Sequence, residues 1–330
     1  MENNNKYEYF VSGNAPLLFP TELVTGSLIF EDLSTMDIPV SSPFEGKWGA
    51  TILTHTSPEK YFPAPKFILI SWLSIVEKKF YAVVDELPQE QIANMLAEKS
   101  ENTKKPKYNT LVAGMAPYGK LAIWLSGNGI TTEVAWMTGK EISMDMKDFN
   151  PKSELSKEKY AENELAECKA ALKNFQNNGL PTPELFEKYM QKYNYRITPN
   201  FNIKSAEIYY YNGELNAAKT NEYDAVIMRA KPSKIVLHWS IGKTQYSGYF
   251  WTDEKKIVDV FQDCYGDDTQ KKAEFIIQEE NSYKQFRFFL KNSDASIEIP
   301  VDDMQYIIFK NQFEFCRSKN YNKPKGGWRN

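Results

Sequence analysis

Between Tyr108 and Trp136 the chain reads YNTLVAGMAPYGKLAIWLSGNGITTEVAW, three short apolar runs broken by Pro117-Tyr118-Gly119 and Gly127-Asn128-Gly129. Pro and Gly packed into four-residue windows between β-rich runs are strong hairpin punctuation. The pattern predicts consecutive antiparallel strands over Thr110–Met115, Lys120–Ser126 and Ile130–Met137. Side chains alternate along a strand. Leu121, Ile123 and Leu125 therefore share one face, and Ala122, Trp124 and Ser126 the other. A chain organised around such a meander is committed to sheets.

The rest of the composition agrees. Aromatics make up 14% of the 330 residues, carried by 20 Tyr, 20 Phe and 7 Trp, which favours strands over helices. A chain of this length can bury roughly three quarters of its unfolded surface, in one large domain or two. The net charge of −3, from 40 basic and 43 acidic side chains, leaves no field of one sign. The basic face of a nucleic-acid binder is missing. Cys168, Cys264 and Cys316 are odd in number, widely spaced and free of any Cys-x-x-Cys pattern, so they read as buried free thiols. No run approaches the ~18 apolar residues of a membrane helix. As written the chain reads as soluble and cytoplasmic. Asn3-Asn4-Asn5 would also suit the tether of a periplasmic or outer-membrane lipoprotein with its export signal removed.

Along the chain, Tyr7–Ser12, Thr21–Phe30, Pro65–Leu73 and Phe80–Val84 read as strands. Leu87-Pro88-Gln89-Glu90 opens a helix with Ile92, Met95 and Leu96 as its apolar stripe. The period changes after Pro151. Leu165, Cys168, Leu172 and Phe175 predict one amphipathic helix ended by Asn178-Gly179. Thr182-Pro183-Glu184 starts another, packing through Leu185, Phe186, Tyr189 and Tyr193. Strands resume at Phe201.

The second half can be laid on the first. Pro65–Trp72 falls on Pro232–Trp239, Ile92/Met95/Leu96 on Ile257/Val260/Phe261, and Ile123/Leu125/Glu133 on Phe288/Leu290/Glu298. The Gly127–Gly129 turn falls on Asn292-Ser293-Asp294, and Thr252 is a ready N-cap for the second helix. The predicted class is α+β: two tandem ββαβββ-like units, each an antiparallel sheet with a helix on one face. The expected divisions are 1–150 for the first unit, 151–196 for a helical connector and 197–330 for the second unit, a diverged repeat of the first.

No motif announces a reaction. Gly114–Lys120 satisfies G-x-x-x-x-G-K, but Leu121 replaces the magnesium-binding hydroxyl and LAIWLSG continues as a strand, so a hairpin turn is the better reading. Ile241-Gly242-Lys243-Thr244 is weaker still. Of the two histidines, His55 lies in a polar loop without a nucleophile elbow. His238 matches Ser71 in the repeat and is expected in the core. Glu86/Glu90, Asp267/Asp268 and Asp302/Asp303 could serve acid–base chemistry, but solvated turns and helix starts explain them more simply. Asp263–Asp268 lacks the spacing of a calcium loop. No cofactor and no metal is implied. The residues offered for binding are aromatic: Tyr209, Tyr210, Tyr211, Tyr118, Trp48 and Trp251. Three consecutive tyrosines on a strand cannot all point inward, and exposed tyrosine marks interfaces.

Ala113-Gly114-Met115-Ala116-Pro117-Tyr118-Gly119 followed by Ala122–Gly127 resembles the signature of the bacterial "domain of unknown function 2931" family, a G-x-A-P-G-G turn and a V-A-V-W-L-S/A-G strand. Phe80-Tyr81, Leu87-Pro88, Phe149-Asn150-Pro151, Gly179-Leu180-Pro181 and Tyr189–Tyr195 extend the likeness over nearly the whole chain, to the longer members from Bacteroidetes. Tyr118 departs from the family's usual Gly, so a turn of another type is expected if the position needs positive φ. The resemblance implies no activity. It implies a family often described as lipoproteins, with some members near type VI secretion genes. By that analogy it implies an immunity protein that neutralises an interbacterial toxin. The leading expectation is a non-enzymatic module for a protein partner. The alternative is an envelope lipoprotein that binds glycan or lipid. An enzyme would need acids converging on His238 or His55 in a pocket.

Overall fold

The computed structural model describes residues 6–40, 43–52, 54, 59–100, 103–219, 222–280, 285–300, 304–311 and 314–319. Among them the class is mainly β with six α-helices. The chain divides into two compact units, one up to Phe186 and one from Glu187 onward.

In the first unit the strands are β1 (Tyr7–Glu8), β2 (Phe10–Asn14), β3 (Thr21–Ile29), β4 (Thr35–Asp37), β5 (Tyr61–Phe62), β6 (Phe67–Ser74) and β7 (Lys79–Glu86). Helix α1 (Gln89–Ala97) separates them from β8 (Thr110–Met115), β9 (Lys120–Gly127), β10 (Ile130–Thr138) and β11 (Lys140–Ile142). The meander falls where the turn chemistry placed it. Asn128 and Gly129 sit at φ 49° and 80°, the left-handed pair that a tight two-residue hairpin turn requires. One sheet runs β11-β7-β6-β3-β4, and in another β2, β8, β9 and β10 lie side by side. They share one core, with Ile68, Ile70 and Trp72 of β6 and Leu121, Ile123 and Leu125 of β9 all buried in it. Ile92, Met95 and Leu96 bring α1 into the same core. Nine residues are too few for an isolated helix. Three side chains worth roughly 1.5–3 kcal/mol each on burial are what hold it.

Two expectations change here. The unit contains two packed sheets rather than one. It is also not purely antiparallel, because β2 pairs with β8 in parallel. Alternation reveals which face of a strand is buried but not the direction of its neighbour.

After β11 come α2 (Met146–Phe149), α3 (Lys157–Glu167), α4 (Lys169–Asn178) and α5 (Pro183–Met190). The single helix expected over Leu165–Phe175 is two, broken at Cys168, whose ψ of 70° leaves the helical region. The break moves the buried position of α4 to Ala171, leaving Leu172 and Phe175 half-buried. Gly179 ends α4 at φ 67°, as the Asn-Gly pair suggested. Tyr193 is not on α5: it begins a strand. Phe149 packs on Phe80 (5.3 Å) and on Tyr160 (5.5 Å), and the Tyr160 hydroxyl donates to both carboxylate oxygens of buried Glu22, fastening α3 to β3.

The second unit holds β12 (Tyr193–Pro199), β13 (Ile203–Tyr210), β14 (Leu215–Lys219), β15 (Ile227–Arg229), β16 (Pro232–Ile241) and β17 (Thr244–Thr252). After α6 (Glu254–Tyr265) follow β18 (Ala273–Glu280), β19 (Gln285–Lys291), β20 (Ser296–Ile299), β21 (Met304–Lys310) and β22 (Glu314–Lys319). Strands β14-β13-β16-β17-β21-β22 lie in that order, and β15-β12-β18-β19-β20 form the other sheet, with β12 and β18 parallel. Phe250 of β17 meets Phe286 (5.1 Å) and Phe288 (5.6 Å) of β19 in the core between them. Ile257, Val260 and Phe261 of α6 are buried as the stripe predicted. Its N-cap, however, is Asp253, which accepts from the Lys255 and Lys256 N–H groups. Thr252 is still in β17 and donates its hydroxyl to the Pro232 carbonyl. No helix among the described residues is long and apolar enough to cross a membrane.

Candidate functional site

In the second unit, alternation along β13, β16 and β17 sends Ile208, Ile235 and Phe250 inward and their neighbours outward. Directly paired residues share a face. One outward row is therefore Tyr209, Lys234, Trp251 and Gln305, and the next is Glu207, Val236, Tyr249 and Ile307. A third is Ser205, His238, Ser247 and Phe309. Except for Val236, all of these are half-buried, which leaves part of each accessible. The Lys234 ammonium stands 3.9 Å above the Tyr209 ring, and the Tyr209 hydroxyl donates to Glu207 (2.9 Å). Burial holds the Lys234 pKa below its ordinary value, partly offset by Glu207. Burial, followed by the Glu207 hydrogen bond, pushes Tyr209 up. Tyr249 lies nearly parallel to Trp251 (6.2 Å) and edge-on to Phe309 (5.8 Å). Chemically the surface offers aromatic area, a cation held against a ring, an acid and a hydroxyl-bonded imidazole, since His238 Nδ1 lies 2.8 Å from Ser247 Oγ.

Of the six aromatic residues offered from sequence, Tyr209 and Trp251 are brought together here, on either side of Lys234. Tyr210 and Tyr211 are buried, at 6% and 3% exposure. Strand β13 ends at Tyr210, so Tyr211 escapes the alternation and its hydroxyl reaches the Thr252 carbonyl (3.1 Å). Trp48 is buried in the first unit, edge-on to Trp124 at 4.7 Å. Gly114 lies so close to both indoles that an added Cβ would sit 2.4 Å from Trp124. His238 faces outward rather than into the core, while Ser71 is buried. His55 and Asp302/Asp303 lie outside the described residues. Sequence reasoning missed Lys234, Glu207 and Phe309. Only the cross-strand register reveals them, and register is not written in any one strand.

Tyr118 belongs to a different constellation. The turn Pro117-Tyr118-Gly119-Lys120 has φ 61° at Tyr118 and 69° at Gly119, closed by a Lys120 N–H to Pro117 carbonyl bond. Tyr118 therefore occupies the left-handed region that favours glycine, although it carries a side chain. Glu77 clamps it, accepting from the Tyr118 N–H (2.9 Å), the Ser74 hydroxyl (2.8 Å) and the Tyr81 hydroxyl (2.9 Å). The Tyr118 hydroxyl donates to the Pro181 carbonyl (2.7 Å) and its ring meets Phe186. A Cβ on Gly119 would lie 2.7 Å from the Gly139 carbonyl oxygen. Lys120, the lysine of the phosphate-loop lookalike, donates to Thr138 (3.0 Å) across the β9–β10 hairpin. Signature residues thus meet as a structural corner.

Burial pushes the Cys168 thiol up to about 12 and the Cys264 thiol up to about 11, both far from a reactive thiolate. Among the described residues no group of three or more His, Cys, Asp or Glu is placed to hold a metal. Nothing matches among curated proteins or solved structures. A family model does match, over residues 1–182, which is nearly the whole first unit and more than half of the chain. The signature corner lies inside that match, and the chain belongs to the family described as "Protein of unknown function (DUF2931)".

Proposed function

We propose that the chain is a non-enzymatic protein-binding module whose contact surface is the outward face of β13, β16, β17 and β21. The observation that carries this is the row Tyr209–Lys234–Trp251 beside Tyr249 and Phe309. Protein interfaces are enriched in Tyr and Trp, and binding energy concentrates in a few such residues. The more specific form, resting on family analogy, is an immunity protein whose partner is an interbacterial toxin. Absence of binding to a toxin encoded beside it, even at micromolar concentration, would sink that form. The complex would bury at least ~1,000 Å².

The test is capture from the native bacterium with the full chain and with its Tyr249→Ala/Trp251→Ala variant. The expected result is one stoichiometric protein partner, with affinity lowered in the variant by ~2 kcal/mol or more, roughly thirtyfold. A partner held equally by both proteins would move the contact elsewhere. A second reading, a glycan-binding envelope protein, is favoured by the near-parallel Tyr249 and Trp251 rings, and a glycan that binds wild type but not the variant would establish it.

The same reading treats the second unit as a copy of the first. The strand orders β11-β7-β6-β3 and β21-β17-β16-β13 correspond, as do β2-β8-β9-β10 and β12-β18-β19-β20. Helices α1 and α6 stand at equivalent points. This correspondence supports tandem ββαβββ units, the second diverged beyond the reach of the family model.

A further inference from the structure

Lys231 lies between β15 and β16 with no exposure to solvent. Its Nζ donates to the Lys188 carbonyl, in the last turn of α5, and sits 4.6 Å from the centroid of the Tyr193 ring. The Lys231 carbonyl accepts from the Tyr211 N–H (3.0 Å). A charged lysine carries three donors. Among the described residues this environment supplies one acceptor and one ring face.

The neighbouring charges do not compensate. Among the described residues no carboxylate pairs with Lys231. On α5, Lys188 repels it, while the adjacent Glu187 is exposed. Just before β12, Lys192 is engaged by Glu214 (2.9 Å). On β15, buried Arg229 donates to the Tyr195 and Ala225 carbonyls. The remaining groups are aromatic: Tyr189 stacked on Tyr211 (5.5 Å), and Tyr265 of α6 against Tyr193 (4.8 Å).

We propose that Lys231 acts as a proton-operated latch on the last turn of α5, closed when its amine is neutral and loosened when it takes up a proton. Protonation adds a buried charge that one carbonyl and one ring face satisfy only in part, and opening to water relieves that cost. Burial, followed by Lys188, lowers the pKa to about 7. Tyr193, pushed up to about 12 by burial, stays neutral throughout the window considered. In the open turn the amine returns to its ordinary value of ~10.4. The open state therefore binds more protons between those values. Opening becomes easier as pH falls from ~10.4 and levels off below about 7.

Amide hydrogen exchange on the full chain between pH 7.5 and 9.5, corrected for intrinsic rates, reads this directly. The opening constant of amides 189–193 and of Lys231 is expected to fall about tenfold per pH unit on raising the pH, while Lys231→Met is flat. A flat wild type, or a variant with the same slope, overturns the latch. Should the variant fail to fold, carbon NMR of assigned lysine side chains in wild type decides: Lys231 titrating well below ~9.5 supports it, and Lys231 titrating at or above ~9.5 overturns it.

Discussion

Tyr118 holds a left-handed backbone that costs a non-glycine residue of the order of 1–2 kcal/mol. Its hydroxyl bond to Pro181 and its contact with Phe186 offset that strain. Tyr118→Ala keeps the strain and loses both contacts, whereas Tyr118→Gly loses the contacts and the strain together. In urea unfolding the Ala variant is expected to be about 1 kcal/mol less stable than the Gly variant. Equal stabilities would mean that the turn is unstrained. Cys168 and Cys264 are buried with raised pKa values. In a Cys316→Ser background, a thiol reagent at pH 8 is expected to leave the native protein unmodified while the unfolded chain reacts completely. At this scale the sequence was informative about burial and poor about surfaces. Trp48 could be read as a binding ring because nothing local reveals that Gly114 makes room for it. Tyr209 and Trp251 could be named, but Lys234 between them could not, because a lysine on a strand gives no sign of which ring it will cover.

At the level of elements, hairpins were the most legible feature. Their pairing is local, and Pro117-Tyr118-Gly119 and Gly127-Asn128-Gly129 carry the turn geometry in their own residues. Helices were legible as apolar stripes but not at their ends. The Leu165–Phe175 stripe concealed the break at Cys168, and α6 starts one residue later than the Thr252 hydroxyl suggested. Asp253→Ala is expected to cost about 1 kcal/mol through the lost cap. Thr252→Ala acts by another route, leaving the Pro232 carbonyl without its hydroxyl donor in a buried site. It should cost about 1–3 kcal/mol without changing the helicity of α6. Circular dichroism with urea unfolding separates the two effects. The parallel pairs β2–β8 and β12–β18 were illegible, since a strand carries no mark of the direction of a neighbour far away in sequence.

For the whole molecule, two units each with a large buried indole invite a comparison. Trp72 of β6 and Trp239 of β16 are both almost fully buried. Truncating either to Ala should cost about 3–5 kcal/mol. Hydrogen exchange is expected to accelerate among residues up to Phe186 for Trp72→Ala, and among those from Glu187 onward for Trp239→Ala. Equal acceleration throughout the chain in both variants would show that the two cores unfold as one.

The parallel pairing of Phe10–Asn14 with Thr110–Met115 sets an order on the ribosome. At roughly 5–20 residues per second, the earlier strand waits on the order of 5–20 s before its neighbour has been made. In the second unit Tyr195 waits similarly for Ala273. Hairpins such as β6–β7 can close as they emerge, but neither unit can complete its core until the later strand of its parallel pair has been made. Each unit is therefore exposed to premature association during its own synthesis, and nascent chains of this protein are expected to engage chaperones twice.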